Sequence, residues 1–187
     1  MRPRKPSTAG ESILLLLQVI EVLDRERVDH ILVGAMAAAV HGVIRATTDA
    51  DLLIGVAVAR LQPLRVRLQQ AGFEVVLRRG DADDPIGAML VITDKFGNRV
   101  ELLSGIRGMD PQAFARSGTI EFEGVSMRVV GLEDCIAMKC FAGGPVDVDD
   151  ARQVLQLASR PIDLDLLRRL VRRFGRESAD TLERLLS

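Results

Sequence analysis

Val33-Gly34-Ala35-Met36-Ala37, continuing through His41-Gly42, Arg45 and Thr47 to Asp49-Ala50-Asp51-Leu52-Leu53-Ile54, is the stretch around which the rest of the chain is arranged. The branched apolar run from Val28 to Gly34 reads as a first strand. Ala35 to Val40 reads as a short helix whose small side chains let it pack close to strands, and Gly42 ends it. Asp49 to Ile54 is the second strand. Alternate residues of a strand share a face, so Asp49 and Asp51 point the same way as Leu53, while Ala50, Leu52 and Ile54 take the other side. Two same-face carboxylates lie only about 6.5 to 7 Å apart along a strand, a repulsive pairing unless a cation bridges them. The spacing suits a divalent metal.

Outward from that core, Met1 to Gly10 carries Pro3, Pro6 and Gly10 and reads as a loose arm. Glu11 to Arg27 follows as a helix with an apolar face. Val58 to Gln70 is a helix closed by Gly72, and Phe73 to Leu77 a third strand. Gly80 to Pro85 is an acidic loop, either an exposed turn or a cluster of metal-binding acids. Ala88 to Thr93 and Asn98 to Leu103 form a hairpin pattern, and the second arm carries Glu101 between Val100, Leu102 and Leu103. A lone Glu there either faces solvent from an edge strand or joins the aspartates. Asp110 to Ala115 is a helical turn, and Thr119 to Phe122 with Ser126 to Val130 a second hairpin. From Leu132 the character is helical: Leu132 to Ala142, Asp147 to Leu157, Asp163 to Phe174 and Arg176 to Leu186. The expectation is an α/β (α+β) core over residues 1–130, a mixed sheet flanked by helices, with a C-terminal helical extension over residues 131–187.

Composition narrows the class. A chain of 187 residues, 48% hydrophobic and with net charge −1, can bury a substantial core and is not disordered. Its most apolar run, Ile13 to Ile20, is interrupted by Gln18 and falls well short of the roughly 20 residues of a membrane span. Arg2, Arg4 and Lys5 precede it, but no small-residue cleavage site follows, so a cytoplasmic protein with no membrane partner is expected. Cys135 and Cys140, five apart in one helix, face different ways, which argues against a disulfide. Arg168, Arg169, Arg172, Arg173 and Arg176 form a basic stripe, either a solvated helix face or a grip on RNA phosphates.

The set Gly34-Ala35, Ala37, His41-Gly42, Arg45, Thr47, Asp49 and Asp51 closely resembles the core motif of nucleotidyltransferase-fold proteins of the AbiEii-like toxin and minimal nucleotidyltransferase groups. Glu133 to Lys139, Ala142-Gly143, Asp147 and Asp150 look like the downstream signature, a helix bearing Lys and then a helix opening with acids. The resemblance implies a nucleotidyltransferase-like fold and transfer of a nucleoside monophosphate from a nucleoside triphosphate, with Mg²⁺ or Mn²⁺ held by Asp49, Asp51 and Glu101. It implies phosphate or nucleotide contacts from Gly34, Ala35, Arg45, Thr47, Lys139 and Asp147. The acceptor would be an RNA end such as that of tRNA, or a protein hydroxyl, and a cognate toxin or antitoxin partner would complete a toxin–antitoxin pair.

Ordinary structural readings stand beside these roles. Asp147 and Asp150 have the spacing of a helix N-cap and its N3 partner, Lys139 can snorkel from an apolar helix, and His41 can cap the end of its short helix. Four positions in three places depart from the broader pattern: Ala35 where Ser is common, Glu101 where Asp is usual, and Gly144 and Val146 in place of basic residues. They raise the alternative of a non-catalytic member acting as a binding or antitoxin protein. A GT-A-type sugar transferase also uses Asp-x-Asp but needs a longer nucleotide-sugar domain.

Overall fold

The computed structural model describes residues 4–187, so Met1 to Pro3 of the expected arm lie outside them. From Ser7 the arm is tied down. The Ser7 and Thr8 N–H groups donate to Glu11 Oε2 at 2.6 and 3.1 Å, and Asn98 Nδ2 donates to the Thr8 carbonyl at 2.9 Å.

Among the described residues one sheet of seven strands runs in the order β3-β4-β5-β2-β1-β7-β6. The strands are β1 (His30–Val33), β2 (Asp49–Ile54), β3 (Glu74–Arg79), β4 (Ile86–Thr93), β5 (Arg99–Ile106), β6 (Gly118–Phe122) and β7 (Val125–Val129). β2 runs parallel to β5, and β1 parallel to β7; the remaining neighbours are antiparallel, so the sheet is mixed. The helices are α1 (Ser12–Arg25), α2 (Gly34–Val40), α3 (Leu61–Gln70), α4 (Ala113–Arg116), α5 (Leu132–Ala142), α6 (Pro145–Leu157), α7 (Leu164–Arg173) and α8 (Arg176–Leu186).

Side-chain alternation sets the core. Ala50, Leu52 and Ile54 of β2 are buried, and α1 lies against β2 and β5. α1 itself is sealed, with Leu16, Leu17, Val19 and Leu23 fully inaccessible. Truncating one of these leucines to Ala costs about 2 to 5 kcal/mol, because the surroundings collapse only partly into the cavity. α2 packs on β1, β2 and α5, and its buried Ala37 and Ala38 permit the close approach. α5 to α8 pack on one another, with α5 in the middle. Gly143, in the left-handed region at φ +67°, ends α5, and Pro145 opens α6 with its preset φ.

The structure decides two readings the sequence left open, at Glu101 and at the acidic loop, and changes one, at Asp147. β5 has a partner on each side, so Glu101 does not sit on an edge strand. α6 begins at Pro145, which places Asp147 in the first turn and removes the expected N-cap role; Asp150 lies further along the helix, 1% exposed. The acidic loop is a turn closed by its own side chain, since Asp81 Oδ1 accepts the N–H groups of Asp83 and Asp84 at 2.9 and 3.0 Å. Cys135 and Cys140 are free and buried, and burial pushes their thiols up to about 12 and 11. No helix among the described residues is long and apolar enough to cross a membrane.

Candidate active site

The site begins where β1 turns into α2. Gly34 has φ +67°, and a Cβ there would lie 2.1 Å from Asp51 Oδ2. Any other residue would both strain the backbone and displace the carboxylate. Main chain therefore lies directly against Asp51, which is why the turn at Gly34-Ala35 needs a glycine.

The carboxylates come from two adjacent parallel strands. In the β2–β5 register Asp51 stands opposite Glu101, and Asp49 opposite Arg99. Asp51 is half-buried, and its carboxyl is pushed up to about 6, first by burial and then by the charges of Glu101 and Asp49; Lys139 and Arg99 offset this only partly. Glu101 is bound by Arg99 Nη2 from two residues earlier on the same strand face, and Arg99 Nε is buried without a hydrogen-bond partner. Hard oxygen donors with unrelieved negative charge are the chemistry that suits Mg²⁺ or Mn²⁺. Yet no three His, Cys, Asp or Glu side chains among the described residues are arranged to hold a metal ion. Glu101 carries one methylene more than Asp and leans on Arg99, so Asp49, Asp51 and Glu101 share a face without converging on one point.

Opposite them lies a compensated network. Lys139 of α5, 6% exposed, places Nζ 2.8 Å from Asp147 Oδ1 and 2.8 Å from Asp150 Oδ2. Arg45 Nε donates to both oxygens of Asp150, at 3.1 and 3.3 Å. Burial pulls the Lys139 ammonium down, but the bonds it donates to Asp147 and Asp150 outweigh it and hold it above its ordinary value. Thr47 Oγ1 donates to the Asp49 carbonyl at 3.2 Å, ordering the chain as it enters β2.

A cleft of about 520 Å³ gathers Gly34, Ala35, Arg45, Thr47, Asp49, Asp51, Glu101, Lys139 and Asp147, the nine residues the sequence singled out. A second cavity of about 250 Å³ adjoins it, sharing Gly34, Asp51, Lys139 and Asp147, and is walled by apolar side chains including Ile86, Leu103, Ile106, Met138 and Phe141. His41 lies outside the cleft, its Nε2 2.8 Å from the Val130 carbonyl. The sequence reading gave no site role to two residues that the structure ties to the site, Asp150, which it quoted only within the downstream signature and as a helix cap, and Arg99. Asp150 had been weighed as a cap, although its i, i+3 spacing from Asp147 puts both on one helical face. Arg99, two before Glu101, shares its face by strand alternation.

Three of the five arginines of the stripe have partners within the fold. Arg168 pairs with Glu183 at 2.9 Å, Arg173 donates to the carbonyls of Gly108 and Met109 at 3.1 and 3.3 Å, and Arg176 lies 3.7 Å from Asp180. Arg169 and Arg172 are exposed.

No protein-family model and no curated protein sequence matches the chain. Solved structures do. An antigenic nucleotidyltransferase-like protein from Paracoccidioides brasiliensis superposes with a TM-score of 0.62 at 18% identity, over 96% of this chain and 89% of its own. The antibiotic-resistance factor ANT(2'')-Ia in solution superposes with a TM-score of 0.62 at 16% identity, over 95% of this chain and 97% of its own. The same factor in complex with adenylyl-2''-tobramycin gives 0.58 at 15% identity, over 88% of this chain and 97% of its own. At these identities the similarity is one of fold.

Proposed function

We propose that this chain, which has the nucleotidyltransferase fold, moves a nucleoside monophosphate from a nucleoside triphosphate onto an acceptor hydroxyl. The observation that carries the reading is the single cleft with carboxylates on its β2–β5 wall and two cations, Lys139 and Arg45, on its α5 side. Such a division suits a triphosphate. Lys139 and Arg45 hold the phosphates of the departing pyrophosphate, helped by main-chain N–H groups at the Gly34-Ala35 turn. The acceptor oxygen bonds to the α-phosphorus, the bond from that phosphorus to the bridging oxygen of the β-phosphate breaks, and the hydroxyl proton passes to the Glu101 carboxylate. Asp49, Asp51 and Glu101 would hold Mg²⁺ or Mn²⁺, which when bound supplies positive charge to the attacking and leaving oxygens. Glu101 must then leave Arg99.

For the acceptor, the family resemblance supports an RNA end such as that of tRNA or a protein hydroxyl, within a toxin–antitoxin pair. A small hydroxylated compound is a second reading, favoured by the apolar cavity beside Asp51 and by the adenylyl-2''-tobramycin complex of a protein of the same fold. The test offers α-labelled nucleoside triphosphates with a tRNA pool, a cell lysate and an aminoglycoside in parallel. Label should transfer, with pyrophosphate released, only when a divalent ion is present. A chain that binds no triphosphate and labels none of the three is a non-catalytic binding protein.

A further inference from the structure

Lys139 is bonded by two carboxylates that differ in kind. Asp150 is 1% exposed, lies beneath the ammonium, and also takes both bonds from Arg45 Nε. It joins the two cations of the site to each other. Asp147 has a side chain 30% exposed, lines both the cleft and the adjoining cavity, and reaches Lys139 from the first turn of α6. It can swing away by rotating about its own side-chain bonds without moving the helix. Asp150 is sealed in the fold and cannot leave without breaking its bonds to both Lys139 and Arg45.

Charge tells the same story. Lys139 and Arg45 together carry +2, and Asp147 and Asp150 together carry −2, so this side of the cleft is neutral in the free protein. A triphosphate approaching it meets no excess positive charge until one carboxylate withdraws. Exchanging the Asp147 oxygen for a phosphate oxygen keeps the Lys139 ammonium bonded throughout, so no step exposes an unpaired buried charge.

Resting on the reading of the cleft as a triphosphate site, we propose that Asp147 occupies the place of a phosphate on Lys139 in the free protein and yields it to an incoming triphosphate, while Asp150 positions Lys139 and Arg45 throughout. Asp147 is then an internal competitor rather than a nucleotide contact. This reassigns its role from the one the family resemblance implied.

The test is titration calorimetry of the full chain with inorganic tripolyphosphate and with ATP. Asp147→Asn should tighten both by about tenfold, since the phosphate then displaces a weaker bond to a neutral amide oxygen instead of an ion pair. Asp149→Asn is the control: Asp149 sits two residues away on the same helix and bonds Arg152 and Gln153 instead, so it reports only the general loss of negative charge. The gain should exceed that of the control and vanish in a Lys139→Met background. Asp150→Asn should weaken both ligands, the opposite sign. Should Asp150→Asn fail to fold, the partly exposed Asp147 variant still decides. Asp147→Asn binding no tighter than Asp149→Asn, or gaining equally without Lys139, overturns the proposal while ATP binding by the wild type leaves the transferase reading intact. A wild type that binds neither ligand overturns both.

Discussion

The two walls of the cleft carry opposite electrostatic states. On the β2–β5 wall Asp49, Asp51 and Glu101 share a face, Lys139 and Arg99 offset their charge only partly, and the Asp51 carboxyl is lifted to about 6. On the α5–α6 wall every charge described has a partner within about 3.3 Å, and the Lys139 ammonium is stabilised. A fold assembled for stability alone would balance both walls. The imbalance lies within the cleft, and perturbed carboxylates of that kind concentrate at functional sites.

The sharpest way to break the comparison is Asp51→Ala. Label transfer from α-labelled triphosphate should fall by roughly a thousandfold or more if, as proposed, Asp51 acts where charge develops in the transition state. Transfer at the wild-type rate would mean that the unbalanced wall has no part in the chemistry.

Next comes Asp150→Asn. Removing the carboxylate that serves both Lys139 and Arg45 leaves the buried ammonium with Asp147 alone and Arg45 without its ion-pair partner, and urea denaturation should show a loss of about 2 kcal/mol. A loss well under 1 kcal/mol would show that the balanced wall is not held by this pair.

On the unbalanced wall the sign reverses. Asp51 has a folded-state value of about 6 against an ordinary 3.8, so the folded protein binds that proton more tightly than the unfolded chain. Its contribution to stability is full below pH 4 and is lost as pH rises through 6. Asp51→Asn mimics the protonated form. It should match wild type near pH 4 and exceed it by about 2 kcal/mol at pH 8, measured by calorimetric melting. Added Mn²⁺ should raise the melting temperature of wild type at pH 8 and erase the variant's advantage. Equal melting of the two proteins at both pH values would dispose of the electrostatic reading.

The smallest effect is expected at the exposed arginines of α7. Arg169→Ala with Arg172→Ala should leave label transfer unchanged and flatten the salt dependence of tRNA binding by at most about two units. A large loss of stability in that variant would show the two side chains to be structural.

Much of the fold and of the cleft was legible in the chain because the signals are local. Asp49 and Asp51 alternate with Ala50 and Leu52, Gly42 and Gly143 end helices, and the turn at Gly34 stands immediately before a run of alanines. Each depends on backbone preference or on periodicity within a few residues. The motif order also placed Lys139 and Asp147 beside residues a hundred positions earlier, through likeness to a known pattern rather than through physics.

Tertiary structure alone decided how the charges pair. Sequence determined that Glu101 lies on a strand among apolar neighbours, but only the strand order showed β5 to be internal and Glu101 opposite Asp51. It likewise determined that Asp147 and Asp150 open a helix. That Asp150 sinks beneath Lys139 while Asp147 stays at the cleft follows from how α5 and α6 pack, and that Arg45 reaches the same carboxylate spans 105 positions of chain. Periodicity assigns a residue to a face. Which charge meets it there depends on the relative placement of whole elements, set by the burial of apolar side chains far from the site, so the electrostatics of the cleft is a product of the packed fold.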